Sequence, residues 1–398
     1  MQDSTEAQRR AALLALYDAA PYPDCLGGKT QQNNPLLIHW INAANGFGAP
    51  VLANDSRILV AGCGTGAEAF VLANLYPQAT IVGLDFSAIS IEKAKNSAQE
   101  NDFNNVIFAV ADLLSADWLA DYAPFDFVLC YAVADYVLDP ALLLENLRKS
   151  LSEKGLIYVA CNSPHHPAAR VRAAFAQLGK SSDSFEDTDE QRALLQLVAN
   201  LMGADAKILD LGEAAKAYLN IDIFPPIAHH NSIDKWLEFA EKAGLYFAGA
   251  TDAAIGLLSV SDAQIPMLFG LNKAALSHWF LKLRQPPAMQ LLFSRYAAPA
   301  PAFDNLPALW QWKPRLDACL NGLPDLTDDP QKAMNITLRF TNMADFVIYS
   351  NAYDLAVLRR CNGERTLAEI QAEIPAKGDL DSLLACLFRA YHYGLLSS

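Results

Sequence analysis

Five apolar runs, set apart by helical segments, occupy residues 57–165 and constrain the fold more than any other feature of the chain. RILVAG (57–62), TIVGLD (80–85), VIFAVAD (106–112), FDFVLC (125–130) and GLIYVAC (155–161) read as strands. Between them AEAFVLANLY (67–76), AISIEKAKNSAQEN (88–101) and DPALLLENLRKSL (139–151) read as helices, the last opened by Asp-Pro. Strands that are apolar throughout, rather than alternating, must be covered on both faces. That demands a parallel sheet with helices on each side, an α/β fold.

The glycines at the end of the first strand show where a ligand would enter. Ala61-Gly62-Cys63-Gly64-Thr65-Gly66 runs straight into a helix. Glycines allow the sharp turn and a close approach of ligand to backbone, and the helix N-terminus offers free amides. The second strand ends in Asp85, whose carboxylate can accept from both hydroxyls of a ribose. The third ends in Ala111-Asp112-Leu113, where an acid can accept from an adenine amino group and the apolar neighbours can pack the ring. Glu68, in the first helical turn, would oppose a pyrophosphate, so a cationic ligand without phosphate suits the loop better than a nicotinamide dinucleotide.

Composition narrows the partners. Acids outnumber bases by 44 to 30, a net charge of −14, and no segment is strongly basic, so nucleic acid is not an expected partner. No apolar run reaches the length of a membrane span, and the N-terminal stretch reads as a helix rather than a secretory signal. The seven cysteines are scattered without C-x-x-C spacing, which favours free thiols in a cytoplasmic protein and no metal site.

AGCGTG, GLDFS, VADLLS and FDFVLCYAVADYVLDP, in that order and spacing, resemble the successive motifs of class I S-adenosylmethionine-dependent methyltransferases over residues 57–165. The resemblance implies a Rossmann-like doubly wound sheet and S-adenosylmethionine as cofactor. The implied cofactor-binding residues are Ala61, Gly62, Cys63, Gly64, Gly66, Asp85, Phe86, Ser87, Ala111, Asp112, Leu113 and Cys130. Tyr17-Asp18-Ala19-Ala20-Pro21-Tyr22-Pro23 resembles the segment that covers the cofactor in a bacterial subgroup, although Ala20 stands where that subgroup tends to have Asn. Residues 222–244 resemble that subgroup's segment before its last sheet helix, and also bacterial protein-lysine methyltransferases with a regulatory domain.

On this reading residues 1–50 form a helical cap. Residues 51–255 form the methyltransferase domain, with a helical lid over 166–233. Residues 256–330 connect through helices, and 331–398 form a small winged-helix-like domain after a linker near 325–332. In that last unit ITLRF and FVIYS can pair as strands, and Thr366 with Glu369 makes a capping box for the second helix, which carries no Lys or Arg. Its end resembles the peptide-binding winged helices used to recognise peptide precursors. A peptide, a protein or a small molecule is therefore the expected acceptor, at N or O, and a homodimer stays open.

Methyl transfer obliges few residues. Asp135, after the fourth strand, is a candidate to orient or deprotonate the acceptor; His229 and His230, after Pro-Pro, and His165 with His166 are further candidates. Tyr22 is a candidate cofactor cover. A silent binding scaffold that kept its pocket and, less readily, a nicotinamide oxidoreductase are the alternative functions.

Overall fold

A computed structural model of the chain describes residues 5–22, 55–181, 183–203, 219–251, 257, 260–297, 300–316, 334–338, 346–350, 352–374 and 380–397. The expected linker near 325–332 and most of the expected N-terminal cap lie outside the described residues.

Helix α1 (Glu6–Ala19) opens the chain behind a capping box of Thr5 and Gln8. The Rossmann-like sheet follows: β1 (Arg57–Ala61), α2 (Ala67–Leu75), β2 (Thr80–Asp85), α3 (Ala88–Glu100), β3 (Val106–Val110), α4 (Trp118–Tyr122), β4 (Phe125–Tyr131), α5 (Pro140–Lys149) and β5 (Leu151–Asn162). Asp139 caps α5, accepting from the Ala141 and Leu142 amides, with Pro140 in the first helical position where its missing N–H costs nothing. Helices α6 (Pro167–Gln177) and α7 (Asp189–Met202) and a π-helical turn, Leu219–Ile223, form a lid with its own small core around Phe175, Phe185 and Phe224. The chain returns through α8 (Ile233–Lys242) and β6 (Tyr246–Ala250).

The sheet has seven strands in the order β3-β2-β1-β4-β5-β7-β6, where β7 is Ala288–Ser294. Strands β1 to β5 are parallel; β7 runs antiparallel to both β5 and β6. One core lies on each face: Leu59, Val128, Ile157, Trp236 and Phe293 on one, Ile58, Phe70, Ile81, Phe127 and Tyr158 on the other. Strand β7 corrects the sequence reading, which took residues 256–330 as connecting helices. Its Pro-Pro leader and aromatic content obscured a strand that fills the slot between β5 and β6.

The C-terminal part is mainly helical. After a 3-10 helix (Asp262–Leu268) come α9 (Lys273–Arg284), the short α10 (Leu306–Leu309), β8 (Arg315–Leu316), the hairpin β9 (Met334–Leu338) and β10 (Phe346–Ser350), α11 (Ala352–Leu358), α12 (Leu367–Glu373), α13 (Leu380–His392) and β11 (Leu396–Ser397). The expected capping box at Thr366 and Glu369 is present.

This unit does not stand apart. Leu367, Leu383, Leu387 and Phe388 share one core with Ile265, Leu268, Leu276, Phe303 and Leu309. Strand β11 pairs with β8, and the Leu367 amide donates to the Trp312 carbonyl at 2.8 Å. Helix α9 bridges to the sheet: Leu276 enters the C-terminal core while Leu281 enters a core of the sheet.

Candidate active site

The site lies at the carboxyl ends of β1, β2, β3 and β4, the edge where open α/β sheets bind ligands. The loop after β1 is held by its own backbone: the Gly62 and Cys63 amides donate to the Leu84 carbonyl at 2.8 and 3.0 Å. Gly62 and Gly66 adopt φ of +73° and +95°, which L side chains rarely accept. A Cβ at Gly62 would also stand 2.4 Å from a Val133 methyl. The loop therefore specifies glycine through both backbone shape and space.

Asp85 is 8% exposed. One carboxylate oxygen accepts from the Gly64 amide and the other from the Ser87 amide, each at 2.9 Å. Burial raises its pKa, and these backbone bonds pull the other way. Each oxygen keeps a second lone pair, so the group is fixed in place and still able to accept two hydroxyls. The two acceptor oxygens therefore fit the hydroxyls of a ribose, as a nucleoside cofactor requires.

Helix α1 roofs this edge. Tyr17 meets Phe86 edge-on, with ring centroids 5.9 Å apart, and Leu13 packs with Tyr136 and Ile227. Ser87, which caps α3, donates its hydroxyl to Asp18 at 2.6 Å. The Tyr22 carbonyl accepts from the Thr65 amide of the loop at 3.3 Å. Arg10 pairs with Asp112 at 2.5 Å, so the acid expected to receive an adenine amino group is already held by the roof. Sequence reasoning missed Arg10, since a single arginine on an amphipathic helix carries no signal of its partner.

Several of the expected cofactor-binding residues have their side chains in the cores. Ala61, Leu113 and Cys130 are buried in the sheet's core, and burial pushes the Cys130 thiol up to about 12. Cys63 is buried in the opposite core. The Ala111 amide is spent on the Asp85 carbonyl at 2.9 Å.

Asp135, the candidate base, is 1% exposed. One carboxylate oxygen accepts from the Asn162 amide at 2.6 Å, and the other is buried without a partner among the described residues. Burial raises its pKa to about 8, against the lowering effect of that amide. The group faces the end of β5, closed off from solvent. Its carbonyl accepts from the His229 amide at 2.7 Å, which fixes the segment after Pro226.

The histidines do not converge on the loop. His229 is partly buried, and burial lowers its pKa. His230 is lowered by burial to about 4 and stacks on His166, 6.1 Å between centroids. His166 itself caps α6, accepting from the Ala168 amide, and His165 is exposed. Among the described residues no group of three His, Cys, Asp or Glu is arranged to hold a metal.

Two tyrosines and one acid stand beside the loop instead. Tyr22 and Tyr131 are about half exposed, and Asp222 projects from the π-helical turn. Burial, then the charges of Asp222 and Tyr131, raises the Tyr22 pKa. Burial raises Asp222 to about 6. A π-helical turn is visible in sequence only as an irregular break, so Asp222 was not anticipated.

Residues 52–243 match the family described as Methyltransferase domain. Over 347 residues the chain is 27% identical to an uncharacterised protein of Synechococcus, covering 79% of this chain and 78% of that one. An uncharacterised protein of Rickettsia prowazekii is 28% identical over 151 residues, 37% of this chain but only 26% of that protein. The fold matches PKMT2 from Rickettsia typhi, solved in complex with AdoHcy, with a TM-score of 0.56 and 20% identity, over 91% of this chain and 75% of that one. With the loop, the buried Asp85 and the sheet order all in place, the chain is, across residues 52–243, a class I S-adenosylmethionine-dependent methyltransferase.

Proposed function

We propose that the protein transfers the methyl group of S-adenosylmethionine to a side chain of a protein or peptide. The observation that carries this reading is helix α9, which roots one end in the sheet's core and the other in the C-terminal core through Leu281 and Leu276. A second surface is thereby held at a fixed position relative to the cleft. A macromolecular acceptor uses such a surface, and a small one has no need of it. The likeness to PKMT2 supports the same reading, because it extends over 91% of this chain and so takes in the C-terminal unit.

The β9–β10 hairpin followed by α11, α12 and α13 supports a winged-helix arrangement. Helix α12 carries Glu369 and Glu373 and no Lys or Arg, which suits a polypeptide better than a phosphate backbone. The described cysteines Cys63, Cys130, Cys161, Cys361 and Cys386 are buried free thiols, in keeping with a cytoplasmic setting. Among the described residues no helix is long and apolar enough to cross a membrane.

The cofactor supplies a methyl group on a positively charged sulfur. The chain's own residues bind and orient. Asp85 accepts the ribose hydroxyls, the Gly62–Gly66 loop lets the backbone approach, and α1 with Phe86 keeps water from the cleft. Asp85, Asp222 and Glu68 give the cleft a negative character that suits a cation. Incubating the full chain with isotopically labelled methyl donor and a protein extract, then mapping label by mass analysis, tests the reading. Label on polypeptide side chains is expected; label confined to small molecules overturns it.

A further inference from the structure

We propose that Arg172 is a positioning residue for the methyl transfer: it fastens the lid to the helix that roofs the cofactor cleft, so that lid and roof open as one and the spent cofactor leaves when both have moved. The inference holds whichever acceptor is used, so it stands apart from the proposed function.

The fastening is a strap, residues 219–230, pinned at both ends. Pro225 and Pro226 give it fixed backbone angles and no N–H, so its carbonyls need a donor from elsewhere. Arg172, on α6, supplies one. One terminal nitrogen of its guanidinium donates to the Pro225 carbonyl at 3.0 Å and to the Ile223 carbonyl at 3.4 Å; the other donates to a carboxylate oxygen of Asp183 at 3.1 Å. The side chain is only 13% exposed, and a rigid planar fork suits three acceptors set in fixed directions. At the far end the His229 amide donates to the Asp135 carbonyl at 2.7 Å, just beyond β4.

Between these pins the strap meets the roof. Ile227 packs with Leu13 of α1 and with Tyr136, and all three are buried. Phe86, the neighbour of Asp85, packs against the same cluster. Helix α1 therefore has a partner on each side: it packs on the π-helical turn and on α3, and on the α3 side Asp18 accepts from the Ser87 hydroxyl at 2.6 Å. Arg9 of α1 adds an ion pair to Asp183 at 3.8 Å, a weak tie because both side chains are nearly half exposed.

Among the described residues the hydrogen bonds of Arg172 go to the strap and to Asp183, and none to the glycine loop or Asp85. Its hold on the cofactor runs through contacts, from the strap by way of Ile227 and Leu13 to the residues beside Asp85. Asp85 is 8% exposed beneath α1, so a ribose enters or leaves as α1 shifts. A shift of α1 either parts Leu13 from Ile227, which exposes apolar surface, or carries the strap along, which pulls two carbonyls from Arg172. Either way the lid's clasp resists the opening of the roof, and roof opening is a step that can set turnover through product release.

The test is the release of labelled AdoHcy from the full chain, chased with excess unlabelled AdoHcy. Arg172→Met keeps the apolar stem and removes every donor. Release is expected to speed up by about fivefold or more, and association to speed up with it, so that affinity changes less than the release rate. Ile227→Ala cuts the same path further along and should also speed release. The double variant should release no faster than the faster single variant, because either cut frees the roof. Val198→Ala thins the lid's core from α7 and serves as the control: it is expected to lower the melting temperature and leave release unchanged. Asp183→Asn, at a half-exposed acid, should speed release by about twofold. With Ile227→Ala it decides the matter if Arg172→Met fails to fold, and unchanged release in both then overturns the inference. Unchanged release in Arg172→Met, fold-changes that multiply in the double variant, or a Val198→Ala effect as large as that of Arg172→Met each overturn it as well.

Discussion

The guanidinium of Arg10 lies 2.5 Å from Asp112 and ties the N-terminal helix to the end of the third strand, across the cleft where the cofactor belongs. Both side chains are partly exposed, so the pair contributes no more than about 1 kcal/mol. It nonetheless competes for an acid that the adenine would use. Arg10→Ala is expected to tighten S-adenosylmethionine binding by up to about fivefold at low salt, and the gain should fade near about 1 M salt as the pair is screened. Calorimetry at two ionic strengths checks this. Weaker binding in the variant would mean that the roof contributes more than the pair withholds.

Asp85→Ala is expected to weaken cofactor binding by about 1.5–3 kcal/mol, roughly 10- to 150-fold, through lost charge-assisted hydrogen bonds. Gly62→Ala should act at least as strongly by another route, because its Cβ would meet Val133 at 2.4 Å and the backbone would be strained at φ of +73°. Calorimetry with AdoHcy, beside circular dichroism to confirm folding, separates the two. Unchanged affinity in Asp85→Ala would remove the ribose assignment.

The sheet and the loop were legible because their signals are local. TIVGLD is a strand over the same six residues in sequence and structure, and a glycine loop between strand and helix declares itself. Strand β7 was not, since its burial depends on β5 and β6 rather than on its own pattern. The carboxylates divide in the same way. Asp85 follows from its position at a strand end. The inward turn of Asp135 follows from the Asn162 amide, 27 residues away, and no spacing announces it. The reach of the C-terminal core was hidden for the same reason: Phe303 and Leu309, in the stretch read as connecting helices, pack with it through contacts that no local pattern announces.

Asp135 makes stability depend on pH. The folded state keeps its proton up to about 8, while the unfolded chain releases it near 3.8. Between those values the folded state binds more protons, so stability falls as pH rises and is lowest above about 8. Asp135→Asn does not titrate. Its melting temperature relative to wild type is expected to rise steadily from about pH 6 to about pH 9, with a gain of about 1–3 kcal/mol at the alkaline end. Parallel curves would show that the carboxyl is not buried in solution.

Removing residues 334–398 tests how the C-terminal unit is joined. An independent domain would leave the rest intact. The shared core says otherwise: the deletion strips Leu367, Leu383, Leu387 and Phe388 from Ile265, Leu268, Leu276, Phe303 and Leu309, and uncovers those side chains to water. It also removes the Arg389–Asp262 ion pair and the partner of β8. Each fully exposed Leu, Ile or Phe forfeits about 1.5–3 kcal/mol of burial, so a handful exceeds the few kcal/mol by which most domains are stable. Because Leu276 sits on α9, which also packs on β6, the damage should reach the sheet. The truncated chain is expected to bind a hydrophobic dye, to melt well below the full chain and to hold S-adenosylmethionine poorly, although no cofactor residue has been removed. A truncated chain that melts cooperatively at the full chain's temperature, with unchanged cofactor affinity, would show that the two cores are separable.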